Sequence, residues 1–157
     1  MERFGSLTGS VVGSRYVNKV DVNRYAYISK IRVGEEAYEG QFVKLDTNNE
    51  DYALVCAAGE GASAYGLLLC NVRDVSQRDI DQGFYPNTVR ISGVAPIVYG
   101  PAEVTVASGC YEGTFSPGDS VYVGTNGYAS ATASGNPVGI ALAGGDGSKP
   151  LAFKLII

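Results

Sequence analysis

The sequence predicts an all-β protein, a compact β-barrel or β-sandwich built from two related β-units and preceded by an extended N-terminal arm. Three observations predict it. Short runs rich in β-branched and aromatic residues alternate with Gly, Asn, Asp and Pro clusters, at the roughly 8–12-residue spacing of all-β folds. Glycine occurs 21 times in 157 residues, nearly twice the usual share of about 7%. Many of these glycines adjoin the runs, where a missing side chain permits a bulge, a bend or close backbone approach. Finally, one phrase occurs twice. Gly40-Gln41-Phe42-Val43 is followed by Gly66-Leu67-Leu68-Leu69, and Gly118-Asp119-Ser120-Val121 by Gly139-Ile140-Ala141-Leu142. Each copy passes through Tyr-Ala on the way, at Tyr52-Ala53 and Tyr128-Ala129.

These landmarks place an arm at 1–24 and a β-domain at 25–157, with repeat-like units at about 34–72 and 112–157. In the arm, apolar residues come singly or in pairs among glycines, hydroxyls and mixed charges. Only Val20-Asp21-Val22-Asn23 alternates as a strand would. Tyr25 to Val33 has strand propensity, with Ile31 and Val33 alternating with Lys30 and Arg32. Gly34-Glu35-Glu36 breaks it. Phe42 to Leu45 is the next strand, ended by the polar turn Asp46 to Asp51. Tyr52 to Ala58 and Ala64 to Val72 follow, separated by Gly59-Glu60-Gly61.

Asp74 to Gln82 is the one helix candidate, with Asp74 as cap, Gly83 as stop, and Val75 and Ile80 facing inward. Strand signals then return at Thr88 to Ser92, Ala95 to Tyr99, Glu103 to Val106 and Ser120 to Val123. Asn126-Gly127 predicts a type I′ hairpin leading into Tyr128 to Thr132, because both residues tolerate positive φ. Val138 to Ala143 and Leu151 to Ile156 complete the set. Period-two alternation predicts Val121, Val123, Ile140, Leu142, Phe153 and Leu155 as inward-facing.

Composition narrows the function classes. Histidine is absent, so Ser-His-Asp and Cys-His chemistry cannot be assembled. Cys56, Cys70 and Cys110 are widely spaced and read as small buried apolar residues, without the clustering of a zinc site. Glu35-Glu36 and Asp79-x-Asp81 read as solvated surface. Gly144-Gly145-Asp146-Gly147-Ser148-Lys149 lacks the spacing of a phosphate loop, and Pro150 with a strand follows where a helix is required. Asp46-x-Asn48-x-Glu50 falls short of a calcium loop. We therefore assign no catalytic, cofactor-binding or metal-binding residue and expect no enzyme.

A net charge of −4 without a basic cluster argues against nucleic acid as partner. No apolar stretch approaches the roughly 18–20 residues that span a bilayer. The first residues also lack the apolar run of a secretory signal, which points to cytoplasmic synthesis. The eleven tyrosines stand out beside an absence of tryptophan. Tyr16, Tyr25, Tyr27 and Tyr38 lie in or beside the arm and are the candidate partner-binding residues, since tyrosine combines contact area with a polar tip. Tyr111, Tyr122 and Tyr128 read equally well as ordinary sheet residues.

From Pro117 onward the chain resembles the capsid decoration (cement) proteins of tailed bacteriophages. The resemblance rests on Pro117-Gly118-Asp119-Ser120-Val121-Tyr122-Val123, Gly127-Tyr128-Ala129, Pro137-Val138-Gly139-Ile140-Ala141-Leu142 and Phe153-Lys154-Leu155. Gly40 to Leu69 echoes it more weakly. It implies a structural virion protein, made in the host cytoplasm, that binds the outer capsid surface and stabilises it by bridging major capsid protein subunits. Its implied partners are the major capsid protein and either a homotrimer or neighbouring decoration subunits. The alternative is another β-structural module, of a phage tail or baseplate or of a bacterial surface.

Overall fold

A computed structural model of the chain describes residues 19–24 and 27–157. Chain order gives β1 (Val20–Arg24), β2 (Tyr27–Val33), β3 (Phe42–Leu45), β4 (Tyr52–Val55), β5 (Ala64–Leu68) and β6 (Asn71–Arg73). There follow α1 (Gln77–Asp81), β7 (Thr88–Arg90), β8 (Val94–Tyr99), β9 (Ala102–Val106) and β10 (Tyr111–Glu112). β11 (Ser120–Val123), β12 (Ala129–Ser130), β13 (Gly139–Ala141) and β14 (Leu151–Leu155) close the chain. The all-β class is as the sequence predicts.

Two sheets carry the fold. One is a closed barrel in the order β2-β4-β3-β5-β8, and the other an open sheet in the order β1-β9-β14-β13-β11-β12-β10. The run β10-β12-β11-β13-β14 repeats the barrel's order strand for strand, including a parallel first pair, β2 with β4 and β10 with β12. The barrel closes because β8 returns to β2. In the open sheet β14 pairs with β9 instead.

The repeated phrase explains the likeness. Val43 lies opposite Gly66, and Val121 opposite Gly139. Two residues on, Leu45 meets Ala53 and Val123 meets Ala129. Gly66 and Gly139 occupy inward positions against the next strand. A Cβ on Gly66 would stand 2.4 Å from the Val98 carbonyl oxygen, and one on Gly139 2.8 Å from that of Lys154. Each phrase is a register in which a valine covers a glycine so that a further strand can approach.

That register corrects one expectation. Val121, Val123, Phe153 and Leu155 are fully buried, but Ile140 and Leu142 are 41% and 44% exposed. With Gly139 inward opposite Val121, period two sends Ile140 outward to pair with Ser120 and Lys154. Val138 and Ala141 fill the interior in their place.

The barrel and the open sheet share a core. Val33, Val43, Ala53, Leu68, Ala95 and Ile97 fill the barrel's interior. Phe42, Leu67 and Val98, on its outer face, pack with Val104, Val121 and Phe153 of the open sheet. The Phe42 and Phe153 rings stand 6.3 Å apart across this junction, a contact of about 0.5–1.5 kcal/mol beyond area burial. Equivalent loops also meet there through glycine. A Cβ on Gly135 would strike the Gly59 carbonyl oxygen, and one on Gly61 that of Asn136.

Local details depart from the sequence reading where side-chain chemistry decides. The helix starts later than expected, because Ser76 caps it by accepting the Asp79 N–H at 3.1 Å. Asp74 precedes the helix, while Gly83 with φ 82° does end it. The run Ala64 to Val72 divides into β5 and β6, and β6 leaves the barrel to pair with β7. Asn126 and Gly127 both have positive φ, 63° and 80°. The turn bond nevertheless runs from Gly127 N–H to Gly124 O, inside an outer bond from Gly124 N–H to Tyr128 O. The β11–β12 link is therefore a three-residue loop rather than a type I′ turn. It is fixed by Gln41, whose side-chain amide donates to the Asn126 carbonyl at 2.6 Å.

Candidate partner-binding surface

The N-terminal segment joins the body at one buried acid. Glu39 is 1% exposed. One carboxylate oxygen accepts the backbone N–H groups of Lys19 and Val20 at 2.8 and 2.9 Å, and the other accepts the Asn87 side-chain amide at 3.1 Å. The Glu39 N–H is held by Asn71 Oδ1 at 2.9 Å. A buried carboxylate survives when several donors satisfy it, and here two of the donors are the start of β1. Val20 is buried beside it and enters the shared core.

From this root the chain crosses between sheets. β1 runs antiparallel to β9, from Val20 opposite Val106 to Arg24 opposite Glu103. β2 then runs antiparallel to β8, from Tyr27 opposite Tyr99 to Arg32 opposite Val94. The return crossing is made at Gly100, whose φ is +76° and whose absent Cβ would meet the Tyr27 ring at 2.9 Å.

Of the four tyrosines singled out from the sequence, Tyr16 and Tyr25 lie outside the described residues. Tyr27 is 61% exposed at the head of β2, next to Ile28 at 54%. Its ring lies 5.7 Å from Tyr99, and Tyr99 stacks on Tyr65 at 5.5 Å. Tyr38 belongs elsewhere, in the loop before β3, where its N–H donates to Gln41 Oε1 at 2.7 Å. It stands near Tyr128, whose phenol is pushed up by burial and by the neighbouring Cys110 and Tyr38. The structure thus groups Tyr27 with Tyr99 and Tyr65, two residues the sequence reading did not single out. Their one sequence signal is position: each lies near an end of a strand.

Glu39 carries no signal in sequence, being one acid in a glycine-flanked loop. Neither acidic pair is a simple solvated surface: Glu35 accepts the Val55 N–H at 2.7 Å, and Asp79 is half-buried. The 144–149 segment is a turn organised by Tyr111, whose hydroxyl donates to the Lys149 carbonyl and accepts the Gly147 N–H. All three cysteines are free and buried. Burial pushes the Cys56 and Cys70 thiols up to about 12 and raises that of Cys110. Among the described residues, no group of three or more His, Cys, Asp or Glu is placed to hold a metal ion. No helix among them is long and apolar enough to cross a membrane.

No protein-family model matches the chain, and no curated protein matches it in sequence. A solved structure does match: the N base of head fiber gp8.5 of bacteriophage phi29, at 12% identity and a TM-score of 0.51. The two chains share a fold. The match covers 83% of this chain and 94% of the fiber base.

Proposed function

We propose that this chain is a non-enzymatic structural protein of a phage virion, made in the host cytoplasm and attached to the outside of the assembled head. In this reading it stabilises the shell by bridging major capsid protein subunits. The observation that carries the reading is the fold shared with a phage head-fiber base over 83% of the chain. The sequence resemblance of the 117–157 region to capsid decoration proteins points the same way. In this reading residues 1–24 are the arm, rooted in the open sheet through β1, 25–157 are the β-domain, and Tyr16, Tyr25, Tyr27 and Tyr38 contribute contact area. Tyr27 and Ile28 fit that role best, as exposed apolar side chains at the head of β2, one on each face of the strand, of the kind that anchor interfaces. Many bound copies linked through one shell gain collectively.

Co-sedimentation with purified mature heads tests this. The full chain is expected to pellet with heads and to raise their thermal stability, and Tyr27→Ala with Ile28→Ser to weaken binding. Recovery with tails or cell envelope instead of heads would overturn the reading. The fiber-base likeness favours a second reading, a foot that anchors an appendage to the head without joining subunits. Head binding with unchanged head stability would select it.

A further inference from the structure

A cleft of about 590 Å³ lies on the barrel between the 46–51 turn and the start of β5. Its floor is Leu54 and Ala64, which flank Lys44 in register from β4 and β5. Leu45 is 48% exposed at its rim. Tyr65 forms one wall. It is the extra residue of a β-bulge, since Val43 pairs with Gly66 and Lys44 with Ala64, and the bulge re-aims its side chain. Tyr99 stacks behind it with the rings 21° from parallel, which holds the Tyr65 ring in place. Thr47, Asn48 and Ser63 line the cleft as exposed neutral groups.

The charges in the cleft are already satisfied. Lys44 Nζ lies 2.9 and 2.8 Å from the two Glu60 oxygens, and Glu60 also accepts the Ala57 N–H at 2.6 Å. Asp46 accepts the Asn48 N–H and the Asn49 side-chain amide. A free anion therefore finds no uncompensated cation, and no ready set of metal ligands is present. An extended peptide that adds to a sheet needs an open strand edge, and β3 is paired on both sides. What remains on offer is an aromatic ring, an aliphatic floor and a rim of neutral hydroxyl and amide groups. A pyranose has the matching chemistry: an apolar C–H face for the ring and floor, and hydroxyls that exchange hydrogen bonds with neutral partners.

We propose that this cleft binds a neutral carbohydrate, with Tyr65 as the stacking wall and Thr47, Asn48 and Ser63 as the hydroxyl-reading rim. Tyr65 reaches the Tyr27 group through Tyr99, so the rim residues Asn48 and Ser63, outside that group, are the ones that separate this assignment from attachment to a head. The test is an amide-resolved NMR titration of the full chain with chitotetraose, cellotetraose and maltotetraose at millimolar concentration. Saturable shifts at Thr47, Asn48, Ser63 and Tyr65 are expected with at least one of them. Asn48→Ala and Ser63→Ala, both at exposed positions, should each weaken binding about 3–10-fold, the loss of one hydrogen bond. Tyr65→Ala should abolish binding and Tyr65→Phe retain it.

Absence of saturable shifts with all three saccharides, or shifts confined to other residues, would overturn the proposal. So would undiminished binding by Asn48→Ala and Ser63→Ala together. Inorganic phosphate or an extended peptide moving the same amides while the saccharides do not would reassign the cleft and equally overturn it. Both rim variants are expected to co-sediment with heads as the unaltered chain does, so failure here is distinct from failure of the virion reading.

Discussion

The Glu39 carboxylate accepts the backbone N–H of Val20 at 2.9 Å, inside the protein and across 19 residues of sequence. The same oxygen takes the Lys19 N–H, so one acid fixes the point where the N-terminal segment meets the sheet. Glu39→Ala would leave the Lys19 and Val20 N–H groups without this acceptor, while the Asn87 amide keeps the Leu69 carbonyl. We expect a loss of about 1–3 kcal/mol in chemical denaturation, chiefly from the buried Val20 donor. Glu39→Gln, which keeps an acceptor, should lose less. Amide exchange at Val20 should accelerate in both, and an unchanged exchange rate would show that β1 is held by β9 alone.

Gly66→Ala is expected to destabilise more than Gly139→Ala. The added methyl stands 2.4 Å from the Val98 carbonyl oxygen in the first and 2.8 Å from that of Lys154 in the second. Neither neighbour can move aside without shifting a strand, so costs of about 1–3 kcal/mol are expected. Thermal unfolding of the two variants orders them, and equal melting temperatures would contradict the close-approach account.

Phe153→Ala should cost about 3–5 kcal/mol, because a fully buried ring at the junction of the two sheets is lost. Ile140→Ser should stay within about 0.5 kcal/mol, since that side chain lies outside the core. Urea denaturation of the pair tests the inward and outward assignment of β13 and β14.

The thiols give a pH dependence with a definite sign. Burial raises the folded-state values of Cys56 and Cys70 to about 12, above the ~8.5 of an unfolded thiol. Their contribution is therefore fully present below about pH 8.5 and is lost as pH rises toward 12. Native protein at pH 8 should resist iodoacetamide and react with it fully in denaturant. Labelling of the native state at the unfolded rate would contradict the burial.

Acid works through a different pair. The Lys44 ammonium and the Ala57 N–H hold the Glu60 carboxyl below its ordinary range. The stabilisation is present above about pH 4.3 and lost as pH falls through the depressed folded value. The pair is partly exposed, with side chains at 29% and 34%, so the effect is small. Lys44→Met should flatten the dependence of melting temperature on pH below about 4.3; an identical acid limb in both proteins would remove the pair from the account.

What was legible in the sequence was what repeats or alternates. Val43 with Gly66 and Val121 with Gly139 announce two related units because the same physical need, a valine covering a glycine, recurs at the same register. What was not legible depends on residues far apart in the chain. Ile140 looks inward until Gly139 is seen to oppose Val121, and nothing local tells which of the two neighbours faces the core. Asn126-Gly127 marks the hairpin correctly, yet its turn is a wider loop whose Asn126 carbonyl is held by Gln41 of the other unit. Tyr65 reads as an ordinary strand residue, because a bulge is a property of a strand pair and not of one strand. Glu39 looks like a surface acid, since its donors come from the N-terminal segment and from Asn87.

The pairing of β1 with β9 also fixes an order of events during synthesis. Val20 leaves the ribosome well before Val106, the residue it will face. Vectorial synthesis exposes N-terminal segments first, and pairing between distant strands waits until both exist. The barrel strands β2 to β8 all precede β9 in the chain, so the barrel is complete in sequence before the root of the N-terminal segment has its partner. In a nascent chain the pairing of that root with β9 therefore waits until the barrel strands have been made, while the five strands that complete the open sheet are still to come.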